Sequence, residues 1–499
     1  MSFTEVFYNL NQLNFHQNIS IGGDELKKEN IVLTNSKYYE SNCNAYYTVL
    51  QHPSNKNIIY MYYRSSACAS NIELITGRTC LAISHDGGIT FSKPDLNFKS
   101  VCQEKTNILF DGYGINHNFS AFYDPINQDF KGVGGTHLDS STSQLIGETT
   151  KYKSIYTNKE SNDRNIEFEI IPGKIKTEKK INGLFLLNSS DGIKWNIDPD
   201  IIPFIDGTSH SQIDRVWGYS KFDGGISVFY HPMLKRYFLY CRSNTACNAR
   251  NIQMSTSLDL KKWDSLRLVN ITPKPIVISD LNKRGHNDNY YYGNIIPYPN
   301  SKYFIGFPPY YNWRCWKNGI YLMMSRDGYS WKRIKQLIKG FFFNERNSIH
   351  SVNGMIESSD NTQFYIYMHE NFWGSHKNEE NEENDLQVCR YSIRRDGFTS
   401  LKSLDGEFAV KIDNLKHLYL NYRTLSSDGS IKVELRRFES NLVISGYSYD
   451  DCLVLTGDQI KHKVTWSSNL EELSAFEEKD ILVYVKLIKA EVFSLTIDY

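Results

Sequence analysis

Nowhere in the 499 residues do about 18 apolar residues follow one another, so no helical membrane span is expected. The start, MSFTEVFYNLNQLNF, has neither the charged stretch nor the apolar core of a signal peptide. Net charge is also missing. Lys plus Arg number 56 and Asp plus Glu number 56, which argues against a general nucleic-acid or polyanion binder. There is no CxxC pair, so no structural zinc site or other metal is called for, and no cofactor motif is present. The nine cysteines are odd in number and irregular in spacing, which excludes a disulfide framework. Together these absences lead us to expect a cytoplasmic or non-classically released chain. A mature protein already stripped of its signal reads the same way. Alanine is scarce and tyrosine abundant, at 34 residues, which favours strands over helices.

What the chain does have is repetition. Ser84-His-Asp86-Gly-Gly88-Ile-Thr90-Phe91 returns as Ser189-Ser-Asp191-Gly-Ile-Lys-Trp195, Ser257-Leu-Asp259-Leu-Lys-Lys-Trp263 and Ser325-Arg-Asp327-Gly-Tyr-Ser-Trp331. A degraded copy is Arg394-Arg-Asp396-Gly-Phe-Thr-Ser400. The aspartates lie 105, 68, 68 and 69 residues apart, and a near-constant period means repeated supersecondary units. The segments before each copy repeat too. A first apolar run is AYYTVLQ (45–51), then NFSAFYDP (118–125), GGISVFYHP (224–232), GNIIPYP (293–299) and NGMIES (353–358). A second run includes NIIYMYYRSS (57–66), RYFLYCRSN (236–244), KYFIGFPPY (302–310) and FYIYMHENF (364–372). These short aromatic and β-branched runs, punctuated by Asn, Asp, Gly and Pro, read as strands.

Four strands per unit and five units predict an all-β fold: a five-bladed β-propeller over 1–399, followed by a β-sandwich over 400–499. The fifth unit lacks a clear fourth strand, and residues 17–36 are the candidate to supply it. Residues 138–180 form a polar insertion expected as a surface loop or hairpin, and 374–385 an acidic loop. The repeated motif itself is expected to be a structural hairpin, its Asp and Ser bonding backbone groups and its aromatic packing between blades.

In such a blade, the start of strand one and the end of strand two lie at the same end of the ring. Strand-one starts carry Glu40, Asn44, His117, Asn118, Asp223, Tyr292, Asn294, His350 and Asn353. Strand-two ends carry Arg64, His137, Arg242, Trp313, Arg314, Glu370, Trp373 and His376. That mixture suits a polyhydroxylated ligand, with aromatics stacking on sugar faces and Arg or Asn binding hydroxyls or a carboxylate. Asp223 and Glu40 are the preferred catalytic carboxylates, Glu370 the third. Arg64, Asn44, His117, Asn118, Arg242, Tyr292, Asn294, Trp313, Trp373 and His376 are the binding candidates. For each carboxylate the plainer alternative is an ion-pair partner of a neighbouring cation.

The Ser-x-Asp-x-Gly-x-Thr-Phe/Trp copies resemble the Asp boxes of sialidase-type propellers. The five-unit count resembles the glycoside hydrolase family 32/43 superfamily. AYYTVL…MYYR, KTNILFDGYGINHNF, FDGGISVFYHP…YFLYCRS, YGNIIPYP…YFIGFP and RRDGF with the SGYSYDDCLVLTGD tail are similar to bacterial proteins grouped with family 32 N-terminal-like or sialidase-like domains. The resemblance spans the chain and implies a propeller-plus-sandwich protein that acts on or binds carbohydrate. The family 32 motifs WMNDPNG, RDP and EC are not intact, and Asp124-Pro125 lacks the preceding Arg. The sialidase FRIP motif is missing as well. The expectation is therefore a glycoside hydrolase. The alternatives are a non-catalytic glycan-binding protein and a structural interaction platform of a viral or surface protein. The expected partner is an oligosaccharide or glycan, with neither nucleic acid nor membrane, and the oligomeric state is not read from sequence.

Overall fold

The computed structural model describes residues 2–37, 39–40, 44–65, 78–96, 106–111, 118–135, 137–138, 144–145, 150–155, 165–171, 174–177, 181–198, 205–206, 224–244, 249–276, 288–312, 317–341, 348–372, 386–467 and 480–498. The described fold is all-β. Its one helical element is a single short turn, Leu10–Gln12, among the described residues. No described helix is long and apolar enough to cross a membrane.

The sheets form a propeller-like ring. Four of them run outward through strands taken in chain order. Sheet one is Ala45–His52, Asn55–Ser65, Arg78–Ser84 and Ile108–Asp111. Sheet two is Ser120–Asp124, Asp129–Gly134, Ile181–Ser189 and Asn196–Ile197. Sheet three is Ser227–His231, Arg236–Asn244, Arg250–Ser257 and Arg267–Leu268. Sheet four is Ile295–Pro297, Phe304–Gly306, Lys317–Ser325 and Ser330–Phe341. A further sheet, sheet five here, has Ser348–Ser351 and Ile356–Glu357 on Gln363–Phe372, then Gln387–Arg394, and its outer strand is the N-terminal Lys27–Thr34. That outer strand pairs antiparallel with Gln387–Arg394, the closure the sequence suggested.

Polar side chains tie the inner strands together on the axis. Thr48 donates to Ser120 at 3.2 Å, and Ser227 donates to Asn353 Oδ1 at 2.9 Å. Asn353 Nδ2 reaches Ser120 and the Ile226 carbonyl, both at 3.3 Å. The Ile295 amide donates to Ser227 at 3.0 Å, and Asn294 Nδ2 to the Ser351 carbonyl at 2.5 Å. Sheets five and one meet by a parallel bridge, Thr48 with Asn353, whose backbone bonds are both 2.8 Å. Every inner strand thus contributes to one buried network, which satisfies polar groups that burial alone would penalise.

The repeated motif closes the hairpin after the third strand. In each intact copy the Ser hydroxyl bonds the Asp carboxylate: Ser84–Asp86 at 2.7 Å, Ser189–Asp191 at 3.1 Å, Ser257–Asp259 at 3.3 Å, Ser325–Asp327 at 3.0 Å. The carboxylate then accepts from two amides further on, as Asp191 does from Ile193 and Lys194, both at 2.8 Å. Burial opposes ionisation of Asp86, yet the Thr90 hydroxyl and these amides hold its carboxyl down to about 2. Tyrosines from the second strand of one sheet donate to the motif of the next: Tyr62 to Gly192 O and Tyr240 to Gly328 O at 2.8 Å, Tyr367 to Gly88 O at 3.1 Å. The last of these joins sheet five to sheet one.

Of the 138–180 insertion, Thr150–Ile155, Asn165–Ile171 and Lys174–Thr177 form a three-stranded antiparallel sheet. Residues 374–385 lie outside the described residues. The strands of the C-terminal region are hydrogen-bonded, with three N-terminal strands, into one connected set of eight. Its spine is the 19-residue Asp480–Asp498, paired with Ser400–Asp413, His417–Thr424 and Ser430–Arg437. N-terminal Ser2–Val6 pairs with the same spine, and Phe15–Gln17 and Ser20–Gly22 with Ser400–Asp413. Asp396 of the degraded motif accepts from Tyr298 at 3.0 Å and Ser494 at 2.6 Å, linking sheet four to this sheet.

Candidate functional site

Residues from sheets one, three, four and five form an aromatic and cationic cluster, called the floor below. In sheet one the register slips between Ala45 and Thr48, and Tyr46 takes φ 55, which a bulge allows and a regular strand does not. Its ring lies 5.8 Å from Tyr292 of sheet four, edge to face, and carries the Arg64 guanidinium 4.6 Å above it. Tyr292 meets His350 of sheet five, hydroxyl to Nδ1, at 3.0 Å. His350 pairs across the strands with His369, ring centroids 5.1 Å apart, and Phe372 lies 4.7 Å from it. Sheet three adds Arg242, 5.0 Å over Tyr291, and Arg250, 4.6 Å over the same ring.

The field here is positive. Burial, then the Arg250 charge, pushes His350 down to about 3. Burial, then His350 and Arg64, pushes His369 well below its ordinary value. Both rings are neutral at ordinary pH. Neither His369 nitrogen has a partner among the described residues.

The two described carboxylates are each held elsewhere. Glu40 accepts from Lys93 Nζ at 2.6 Å, Tyr63 at 2.6 Å, and the Ser36 and Lys37 amides at 2.8 and 2.9 Å. Its side chain is 1 % exposed and that of Lys93 8 %, so this is a buried ion pair. Glu370 accepts from Lys28 and Tyr391 at 2.7 Å and Gln387 at 3.0 Å. Burial would raise its pKa, but these donors hold it below the usual value. The partner sets share no residue, so Glu40 and Glu370 are engaged separately, each by a lysine.

Of the sequence candidates, Arg64 and Arg242 both lie close enough to Tyr292 to act on it electrostatically. Asn118 instead braces its own sheet, accepting from the Gly135 amide at 2.8 Å, and Asn44 donates to Asn35 at 3.1 Å. Asn294, at φ 43, belongs to the axial network. Asp223, His117, Trp313, Trp373 and His376 lie outside the described residues. Tyr46, Tyr291, Arg250 and His369 were not among the sequence candidates. Tyr46 and His369 stand within the runs AYYTVLQ and FYIYMHENF, where alternation marks them as core. Only the bulge at 45–48 and the cross-strand partner reveal their place.

A cavity of about 530 Å³ lies at the opposite end, in the seam of sheets three and four, lined by Arg236, Phe238, Thr256, Asp264, Arg267 and Asp327. It stands among motif hairpins and far from the floor. Arg236 there bonds Thr256 at 3.2 Å and lies 3.8 Å from Asp264.

No family model matches the chain, and no curated protein matches it in sequence. In structure it is similar to an N-acetylgalactosamine deacetylase from F. plautii, solved with blood group B trisaccharide, at 13 % identity and TM-score 0.42, covering 74 % of this chain and 95 % of that one. It is similar to the catalytic domain of a Coprinopsis cinerea GH62 α-L-arabinofuranosidase at 8 % identity and TM-score 0.42, covering 74 % and 97 %. A Bombyx mori GH32 β-fructofuranosidase is similar at 9 % identity and TM-score 0.38, covering 91 % and 94 %. At these scores the likeness assigns neither a blade count nor a chemistry.

Proposed function

We propose that the five sheets are blades of one propeller and that the floor at its axial funnel takes a carbohydrate. One observation carries the reading. Strand tips from sheets one, three, four and five bring Tyr46, Arg64, Arg242, Tyr292 and His350 to a single end of the axis. Of this group Arg64 and the neighbouring Tyr291 are only half-buried and can meet a ligand, while Tyr46, Tyr292 and Arg242 are buried beneath them. Trp313, Trp373, His117 and His376 border the same strand ends in sequence and complete the binding groups in this reading.

In the same reading the protein is a glycoside hydrolase. Asp223 is the carboxylate we assign to acid–base work, because Glu40 and Glu370 are engaged by Lys93 and Lys28. It directly precedes Gly224, whose Cβ position lies 3.3 Å from Arg242 Cβ. The test is sugar release from aryl glycosides and oligosaccharides. Asp223→Asn is expected to lower turnover about 10²–10⁴-fold with the fold intact, and undiminished turnover removes the assignment. The engagement of both other carboxylates favours a second reading, a glycan-binding protein without turnover. Wild-type binding on a glycan array with no product from any substrate selects it.

A further inference from the structure

Tyr292 is fully buried, and its hydroxyl has one hydrogen-bond partner among the described residues, His350 Nδ1. A buried hydroxyl with a single partner directs its proton into that bond, since the donor is otherwise left unmade. Nδ1 therefore accepts, and the neutral imidazole carries its proton on Nε2. The ring cannot turn away, because Tyr291, Phe372 and His369 wedge it at centroid distances of 5.0, 4.7 and 5.1 Å. The two histidines differ in access. Both His369 nitrogens are buried without a partner, whereas His350 Nε2 is not among the sealed atoms and meets no described protein acceptor. His350 is 6 % exposed and His369 0 %, so of the two residues only His350 keeps a narrow opening.

We propose that His350 is a ligand-binding residue of the funnel, donating from Nε2–H to an acceptor oxygen of the bound sugar, with Tyr292 as the positioning residue that fixes the tautomer. The inference rests on the carbohydrate reading of the funnel. The cations beside His350 and its two partners, Arg250 at His350 and Arg64 and Arg242 at Tyr292, carry donors and no acceptor. Donors on these sides favour a group that only accepts, a carboxylate or an acyl carbonyl oxygen, over a hydroxyl, whose own proton would find no acceptor on these cations, and over an amine.

The test uses full-length protein labelled with ¹⁵N at histidine and arginine side chains, titrated with glucuronate, N-acetylglucosamine and glucose. Without sugar, His350 is expected as the Nε2–H tautomer from pH 5 to 8, and Tyr292→Phe is expected to let the Nδ1–H form appear. Glucuronate, for a carboxylate, or N-acetylglucosamine, for an acyl group, shifts the His350 Nε2 signal, and glucose does not. His350→Ala weakens the responding sugar about tenfold, the scale of one lost hydrogen bond, and His350→Gln recovers part of it. An Nδ1–H or doubly protonated ring at pH 6 overturns the proposal, as does unchanged affinity in His350→Ala. If the sugars move the Arg64 signal and leave His350 silent, this inference alone falls. If they move neither, the carbohydrate reading falls with it.

Discussion

Gly88 shows how far a single missing Cβ is built into the ring. A Cβ there sits 2.0 Å from the Tyr367 hydroxyl, at φ +87. Gly88→Ala combines a left-handed backbone with overpacking and is expected to cost about 2–4 kcal/mol in urea unfolding. Adding Tyr367→Phe should return part of that loss, although Tyr367→Phe alone removes a hydrogen bond worth about 1 kcal/mol. Two destabilisations that simply add would contradict the contact. Glu40 makes a second case. Replacing it by Gln leaves Lys93 buried without its carboxylate, and we expect a loss of about 3 kcal/mol by the same measurement. The bonding of each motif's Asp to backbone amides was legible in the sequence, because it joins residues two or three apart in a turn. The Lys28–Glu370 pair was not, because its members are separated by most of the chain and no local pattern relates them.

At the scale of elements, the five apolar runs read from sequence coincide with the inner strands, from Ala45–His52 to Ile356–Glu357. Alternation and turn residues are local signals, so strands of this kind can be read one at a time. The N-terminal segment could only be read in part. Lys27–Thr34 was anticipated as a closing strand, but Ser2–Val6 binds the far end of the chain, Ser494–Asp498, and no short pattern encodes such a partner. Asn353 is where the inner strands are joined, bonding Ser120, Ser227 and the Ile226 and Tyr47 carbonyls. Asn353→Ala is expected to cost about 2–3 kcal/mol, from several side-chain bonds lost and their partners left buried. Hydrogen exchange should then quicken together in Ala45–His52, Ser120–Asp124 and Ser227–His231. Faster exchange confined to sheet five would contradict the shared network.

The whole molecule carries a pH dependence set by its buried imidazoles. Burial holds His231 down to about 4, His350 lies at about 3, and His369 is well below its ordinary value. Below about pH 6.5 the unfolded chain binds protons at these histidines and the folded one does not, so stability falls as pH falls. Three such groups give a slope of about 3–4 kcal/mol per pH unit around pH 5. Asp86, Asp191, Asp259 and Asp327, also depressed in the fold, add with the same sign at lower pH. Urea midpoints measured from pH 7 to 4.5 check this, and a flat profile contradicts it.

The location of the ligand is the claim on which the functional account depends, and a crystal structure of the full-length protein with a bound oligosaccharide tests it most directly. The account predicts a sugar at the funnel, against Arg64 and Tyr291 and within hydrogen-bond reach of His350 Nε2. A sugar seated instead in the cavity between Arg236 and Asp264, with the floor untouched, would contradict it.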